Sequence, residues 1–177
     1  MRLFIAIPIP PDIRRAVYQT AEQLRAYGAS GRFVAQGNYH VTMHFIGESN
    51  ALADVAEAMR LAARDTRPFL LRLTDYGTFS GKKEHGTGYI GLKAETGELN
   101  ALYESLEAQL WERGFVRGRS SLTPHITIAR SVSGDEGFTC PRNEAFRAQE
   151  LVLYESTQED GKIRYTALHR ERFNDGK

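Results

Sequence analysis

Cysteine is almost absent from this chain. Cys140 stands alone, so no disulfide can form within the chain and no multi-cysteine zinc or iron–sulfur site can be built. A large charge of one sign is also missing: 23 Lys and Arg face 22 Asp and Glu, for a net charge of +1. That argues against a strongly basic nucleic-acid coat and leaves room for a local basic groove. No apolar run approaches the ~20 residues needed to cross a bilayer. The apolar start, Leu3 to Ile7, is cut short by Pro8 and lacks the core and cleavage site of a secretory signal. A cytoplasmic protein is the expectation. Neither G-x-G-x-x-G nor G-x-x-x-x-G-K-S/T occurs, so nucleotide-binding folds gain no support. What remains is 177 residues, 41% hydrophobic and 25% charged, enough for one globular domain or two small lobes sharing a core.

Residues 3–9 read as a buried strand, ended by Pro10 and Pro11. A helix opens at Asp12, with Ile13, Val17, Ala21 and Leu24 on one stripe and Gly28 at its C-terminal cap. Residues 29–38 read as loop, and His40 to Ile46 as a short strand. A second helix, capped by Asn50, carries Leu52, Val55, Met59 and Ala62. Strands follow around Phe69–Leu73 and Tyr89–Leu92. A third helix spans about 97–113 with Leu99, Leu102, Leu106 and Leu110 in one stripe. Another short strand covers His125 to Ala129, then a loop over 131–137. A hairpin turning at Glu159-Asp160-Gly161 closes the chain, with Tyr165 on its return strand. His40 and His125 lie 85 residues apart, each on a short apolar strand after a helix and loop, as in a duplicated, two-lobed molecule.

The five histidines carry the chemistry. Three begin a His-x-Thr triplet, at His40, His85 and His125, so the bare triplet is a cheap signal. The middle copy has glycine spacers and sits in a turn-like loop beside Lys82 and Lys83. The outer copies have apolar spacers, His40-Val41-Thr42-Met43 and His125-Ile126-Thr127-Ile128. On a strand, residues two apart face one way, about 6.5–7 Å apart. His40 with Thr42, and His125 with Thr127, then project from polar faces while their spacers fill a core. Two such strands face to face present two imidazoles and two hydroxyls to one pocket. An imidazole exchanges protons near neutrality, and a pair in opposite protonation states is an acid–base couple. Hydroxyls suit the non-bridging oxygens of a phosphate.

These motifs resemble those of the two-histidine (2H) phosphoesterases, and within them the RNA 2′,3′-cyclic phosphodiesterase family once named 2′-5′ RNA ligases. The similar residues are Arg2-Leu3-Phe4-Ile5-Ala6, Asn38 through Glu48, Gly114-Phe115, Thr123 through Arg130, Leu153-Tyr154-Glu155-Ser156 and Arg164-Tyr165. They cover nearly the whole chain in order. One departure is Tyr39, where the pattern has Leu, and the stretch from Arg117 to Ser121 aligns poorly. The resemblance implies an α+β, bilobal duplicated fold: a single domain, 1–177, of two intertwined lobes with one H-x-T-x motif in each. Two antiparallel sheets face a central cleft and the helices lie outside. It implies hydrolysis of a terminal 2′,3′-cyclic phosphate on RNA to a 2′-phosphate, without metal or cofactor, and in some members a reverse, ATP-independent 2′-5′ joining. His40 is then the proton donor, His125 the proton acceptor, and Thr42, Thr127 and Arg130 the phosphate ligands. Partners follow: RNA ends, tRNA fragments among them, or small cyclic nucleotides, with no membrane and a monomer expected.

Other residues are placed by geometry. His44 shares a strand face with His40 and is a candidate RNA or base contact, with a cleft-wall or partly solvated residue as the alternative. A helical His40-x-x-x-His44 zinc pair is set aside, because the spacers favour a strand, on which the two stand about 13 Å apart. Phe45 reads as core, with a base-stacking wall as the alternative. Strict alternation turns Arg130 away from His125 unless the strand twists at Ala129. Arg117, Arg119 and Arg130 lie in an acid-free stretch, Gly114 to Ser133, the candidate RNA track. Phe33, Tyr89 and Tyr154 are candidates for stacking on bases.

Overall fold

The computed structural model describes residues 1–79, 86–118 and 121–176. The chain runs β1 (Arg2–Pro8), α1 (Pro11–Tyr27), β2 (Ser30–Phe33), a 3₁₀ turn (Gln36–Asn38), β3 (His40–Glu48), α2 (Leu52–Arg64), β4 (Phe69–Phe79), β5 (Gly86–Ala94), α3 (Glu98–Glu112), β6 (His125–Ser133), β7 (Ala145–Ala148), β8 (Glu150–Glu159) and β9 (Lys162–Arg172). Two antiparallel sheets result. One has strand order β3-β1-β8-β9, the other β2-β6-β5-β4-β7. Each sheet holds one of the two histidine strands, and the strands meet: β3 packs against β6.

The helices form where the apolar stripes predict. In α1, Ile13, Val17, Ala21 and Leu24 are buried, and Gly28 ends the helix in the left-handed region at φ 113°. In α2, Val55, Met59 and Ala62 face inward. Asn50 does not cap it. The Ala51 N–H instead finds the Ser49 hydroxyl, and the Asn50 side chain accepts from the N-terminal ammonium. In α3 the four leucines are buried, and so is Glu107. Helix α1 packs on β6, while α2 and α3 pack together with α2 against β8 and β9, leaving the opposite sheet faces to the cleft.

Two strands escape the sequence reading. β2 falls inside the expected loop 29–38, and β7 precedes the expected strand at Leu151. β6 also continues to Ser133 instead of stopping at Ala129. The hairpin turns as expected: Glu159 pairs with Lys162, leaving Asp160 and Gly161 at φ 50° and 75°, the two-residue turn that matches strand twist. Among the described residues no helix is long and apolar enough to cross a membrane.

Candidate active site

Both motifs carry the same irregularity. In β3, Ala6 pairs with Thr42 but Ile5 pairs with His44, so Met43 is an extra residue in the ladder. In β6, Tyr89 pairs with Thr127 but Gly88 pairs with Ala129, so Ile128 is extra. A bulge at the fourth position of each H-x-T-x reverses the alternation after it. Met43 and His44 are both buried, as are Ile128 and Ala129. The next residues, Phe45 and Arg130, return to the face of His40 and His125. Phe45 is 69% exposed, not core. Arg130 is exposed and close enough to bear on the charge of His40. His44 is corrected in the other direction. It is turned into the helix layer, where its Nδ1 bonds the buried Glu107 carboxylate of α3, and it does not line the cleft.

The two imidazoles are anchored alike. The His40 Nδ1–H donates to the Asn38 carbonyl at 2.8 Å, and the His125 Nδ1–H to the Thr123 carbonyl at 2.7 Å. Each bond reaches two residues back and fixes the tautomer, so Nε2 is the atom that exchanges a proton in each ring. His40 Nε2 accepts from the Thr42 hydroxyl at 2.8 Å. Each ring is also set against two aromatics. His40 lies against Phe4, centroids 4.8 Å apart, and edge-on to Tyr165 at 5.4 Å. His125 stands edge-on to Phe79 at 4.9 Å and Tyr89 at 5.5 Å. Gly77 makes room for the Tyr89 ring, since a Cβ there would lie 2.6 Å from the Tyr89 Oη.

Burial pushes the His40 imidazole down to about 4; the Asn38 carbonyl opposes this, and the positive charges of Arg130 and His125 add to it. At that value His40 is neutral at pH 7. The depressed value favours the neutral form, so its contribution to stability is present above about 6.5 and is lost as pH falls toward 4. A bound phosphate anion works against this shift. Titration of His40 by NMR with inorganic phosphate present should show its midpoint rise by about one to three pH units. An unmoved midpoint at saturating phosphate would remove phosphate from this position.

A family model for the 2′-5′ RNA ligase superfamily matches residues 9–158. The chain belongs to this superfamily of two-histidine phosphoesterases. Its relatives include the RNA 2′,3′-cyclic phosphodiesterase of Escherichia coli, 32% identical over 96% of this chain and 94% of that protein. The enzyme of the same name from Geobacillus stearothermophilus is 29% identical over 88% of this chain; the chain spans about half of that relative, 52%. Among solved structures, E. coli LigT complexed with 3′-AMP superposes with a TM-score of 0.81 at 30% identity, covering 97% of both chains. TT0787 of Thermus thermophilus superposes at 0.85 with 23% identity over 98% of both, a likeness of fold.

Within this superfamily member, the other candidates divide. His40, Thr42, His125 and Thr127 sit on the cleft faces as their spacing predicts. Arg117 lies over the Trp111 ring of α3 at 5.2 Å, apart from the cavity beside His40. Arg119, His85, Lys82 and Lys83 fall outside the described residues. Tyr89 meets His125, Tyr154 stacks on Phe4 at 5.3 Å, and Phe33 lies beneath Arg25 at 4.2 Å. Sequence reasoning missed Phe4, Tyr165 and Phe79 around the imidazoles, and Glu107 behind His44. Among the described residues no three His, Cys, Asp or Glu side chains are grouped to hold a metal ion.

Proposed function

We propose that this protein hydrolyses terminal 2′,3′-cyclic phosphates of RNA to 2′-phosphates by acid–base catalysis between His40 and His125. The observation that carries the reading is the pair of imidazoles in one cleft, each held by its Nδ1 so that Nε2 is presented for proton exchange. Similarity to relatives named RNA 2′,3′-cyclic phosphodiesterase supports the substrate. Water attacks phosphorus in line with the bond to O3′. His125 Nε2 takes the proton of that water, and the P–O3′ bond breaks. His40 Nε2–H gives its proton to the departing O3′, leaving a 3′-hydroxyl and a 2′-phosphate. The substrate's own negative charge puts the proton on His40, whose burial otherwise keeps it neutral. Thr42, Thr127 and Arg130 bind the non-bridging oxygens, where charge builds in the transition state. With a 5′-hydroxyl in place of water, the same displacement gives 2′-5′ joining: His125 takes the hydroxyl proton, the P–O3′ bond breaks and His40 protonates O3′.

The test is incubation with an RNA oligonucleotide ending in 2′,3′-cyclic phosphate in excess EDTA, with the product identified by mass and phosphatase sensitivity. A 2′-phosphate end is the expected product. An untouched ring, or a 3′-phosphate, would sink the proposal. Thr42→Val should lower kcat about tenfold with the fold unchanged, as expected for one hydrogen bond to a charged group; an unchanged kcat would remove Thr42 from the site.

A further inference from the structure

A cavity of about 820 Å³ opens beside His40. Asn38, Tyr165 and Arg130 line its inner end, and the β8–β9 turn with Lys162 and Ile163 forms its far wall. The Asn38 side-chain amide donates to the Ile163 carbonyl at 3.0 Å, so the residue that orients His40 also holds the hairpin in place. The charge is uneven. Four cations, Arg32, Arg130, Lys162 and Arg164, face two acids, and one acid, Glu159, is taken by Arg164 at 3.2 Å. Arg32 and Arg130 are direct partners across the β2–β6 ladder, and neither pairs with a carboxylate among the described residues. Like charges directly opposite on a sheet are destabilising. An anion between them would turn that cost into attraction. Ile163, about half exposed at 51%, offers an apolar wall beside this cationic floor.

We propose that this groove binds the nucleotide on the 5′ side of the cyclic end, its linking phosphate against Arg32, so that the enzyme selects RNA strand ends over 2′,3′-cyclic mononucleotides. This rests on the phosphodiesterase reading and adds the residues, Arg32 and Lys162, that recognise the strand beyond its cyclic end. The volume falls within the roughly 300–1,000 Å³ of clefts that hold drug-sized molecules, room for one nucleotide. The arrangement of a cationic floor and an apolar wall is that of single-strand tracks.

The experiment compares kcat/KM for a cyclic mononucleotide and for a hexanucleotide with the same cyclic end, in the wild type and in Arg32→Ala/Lys162→Ala. Binding of the hexanucleotide 2′-phosphate product is followed against salt. The wild type is expected to prefer the hexanucleotide by tenfold or more, and the double variant to lose about tenfold of that ratio. Its salt slope should fall by about 1.4, two single-strand contacts at about 0.7 each. The melting temperature of the variant should hold or rise, because a like-charge pair has been relieved. Equal efficiency on both substrates, or a variant that keeps ratio and slope, overturns the groove while leaving the phosphodiesterase reading intact. Product binding with the expected slope loss, but no turnover of either substrate, sinks the phosphodiesterase reading and supports the groove.

Discussion

His125→Ala is expected to lower kcat on an RNA 2′,3′-cyclic phosphate by about 10²–10⁴-fold, and His40→Ala by a similar factor, because in the proposed mechanism each imidazole carries one proton transfer. The double variant loses far less than the product of the two, since an acid without its base no longer supports the same step. Melting temperatures stay close to the wild type, and the His40 variant gains stability below pH 6.5, where the buried imidazole would otherwise have to charge. The roles are separated by the leaving group. Bis(4-nitrophenyl) phosphate releases an aryloxide that departs without a proton. His40→Ala keeps most of its rate on that diester, while His125→Ala, lacking the base for water, loses it. The opposite pattern exchanges the two roles. A loss below threefold in either single variant on the RNA substrate would mean that the imidazoles are not the acid–base pair.

That this pair could be read from the sequence follows from the range of the signals. H-x-T with apolar spacers is local: period two places His40 with Thr42 and His125 with Thr127, and no distant residue can change it. The stripe of α1 and its Gly28 cap are local in the same sense. The bulges are not. Whether Met43 or Ile128 is skipped depends on registers with β1 and β5, and a one-residue slip sends every later side chain to the other face. His44 and Phe45 depart from strict alternation for this single reason, and the same irregularity at Ala129 is the twist that lets Arg130 share the face of His125. One signal was present: Met43-His44-Phe45 and Ile128-Ala129-Arg130 occupy equivalent places after the two motifs, so a departure in one implies it in the other. β2 stayed hidden because Ser30-Gly31-Arg32 is an exposed edge with no apolar alternation. Phe4 was masked by the continuous apolar run of β1, in which Leu3, Ile5 and Ile7 face the core while Phe4 turns to His40.

Glu107→Ala is expected to destabilise the protein by about 3–5 kcal/mol, because the buried His44 imidazole N–H and the Gly118 N–H both lose their acceptor, at about 1–3 kcal/mol each. For a domain of this size that lowers the melting temperature by roughly 6–20 °C. The side chains of His44 and Glu107 are only 4% and 8% exposed, and the second Glu107 oxygen accepts from the Gly118 N–H at 2.6 Å. Truncation therefore strands an imidazole and a backbone donor together. Glu107→Gln keeps both acceptor sites and should lose less. In His44→Leu/Glu107→Leu both members of the pair are removed, and much of the loss should return, giving a large coupling energy in the double-mutant cycle. A single Glu107→Ala change costing under 1 kcal/mol by denaturant unfolding would show that the pair is not what satisfies His44. The size of the effect follows from the bulge itself. Skipping Met43 carries Phe45 to the cleft and by the same step aims His44 into the helix layer, where an imidazole persists only with a partner. In the second motif the equivalent residue is Ala129, which needs none, and α1 above it supplies none. The two lobes thus share the bulge that shapes the cleft, and only the first requires a buried carboxylate to accommodate it.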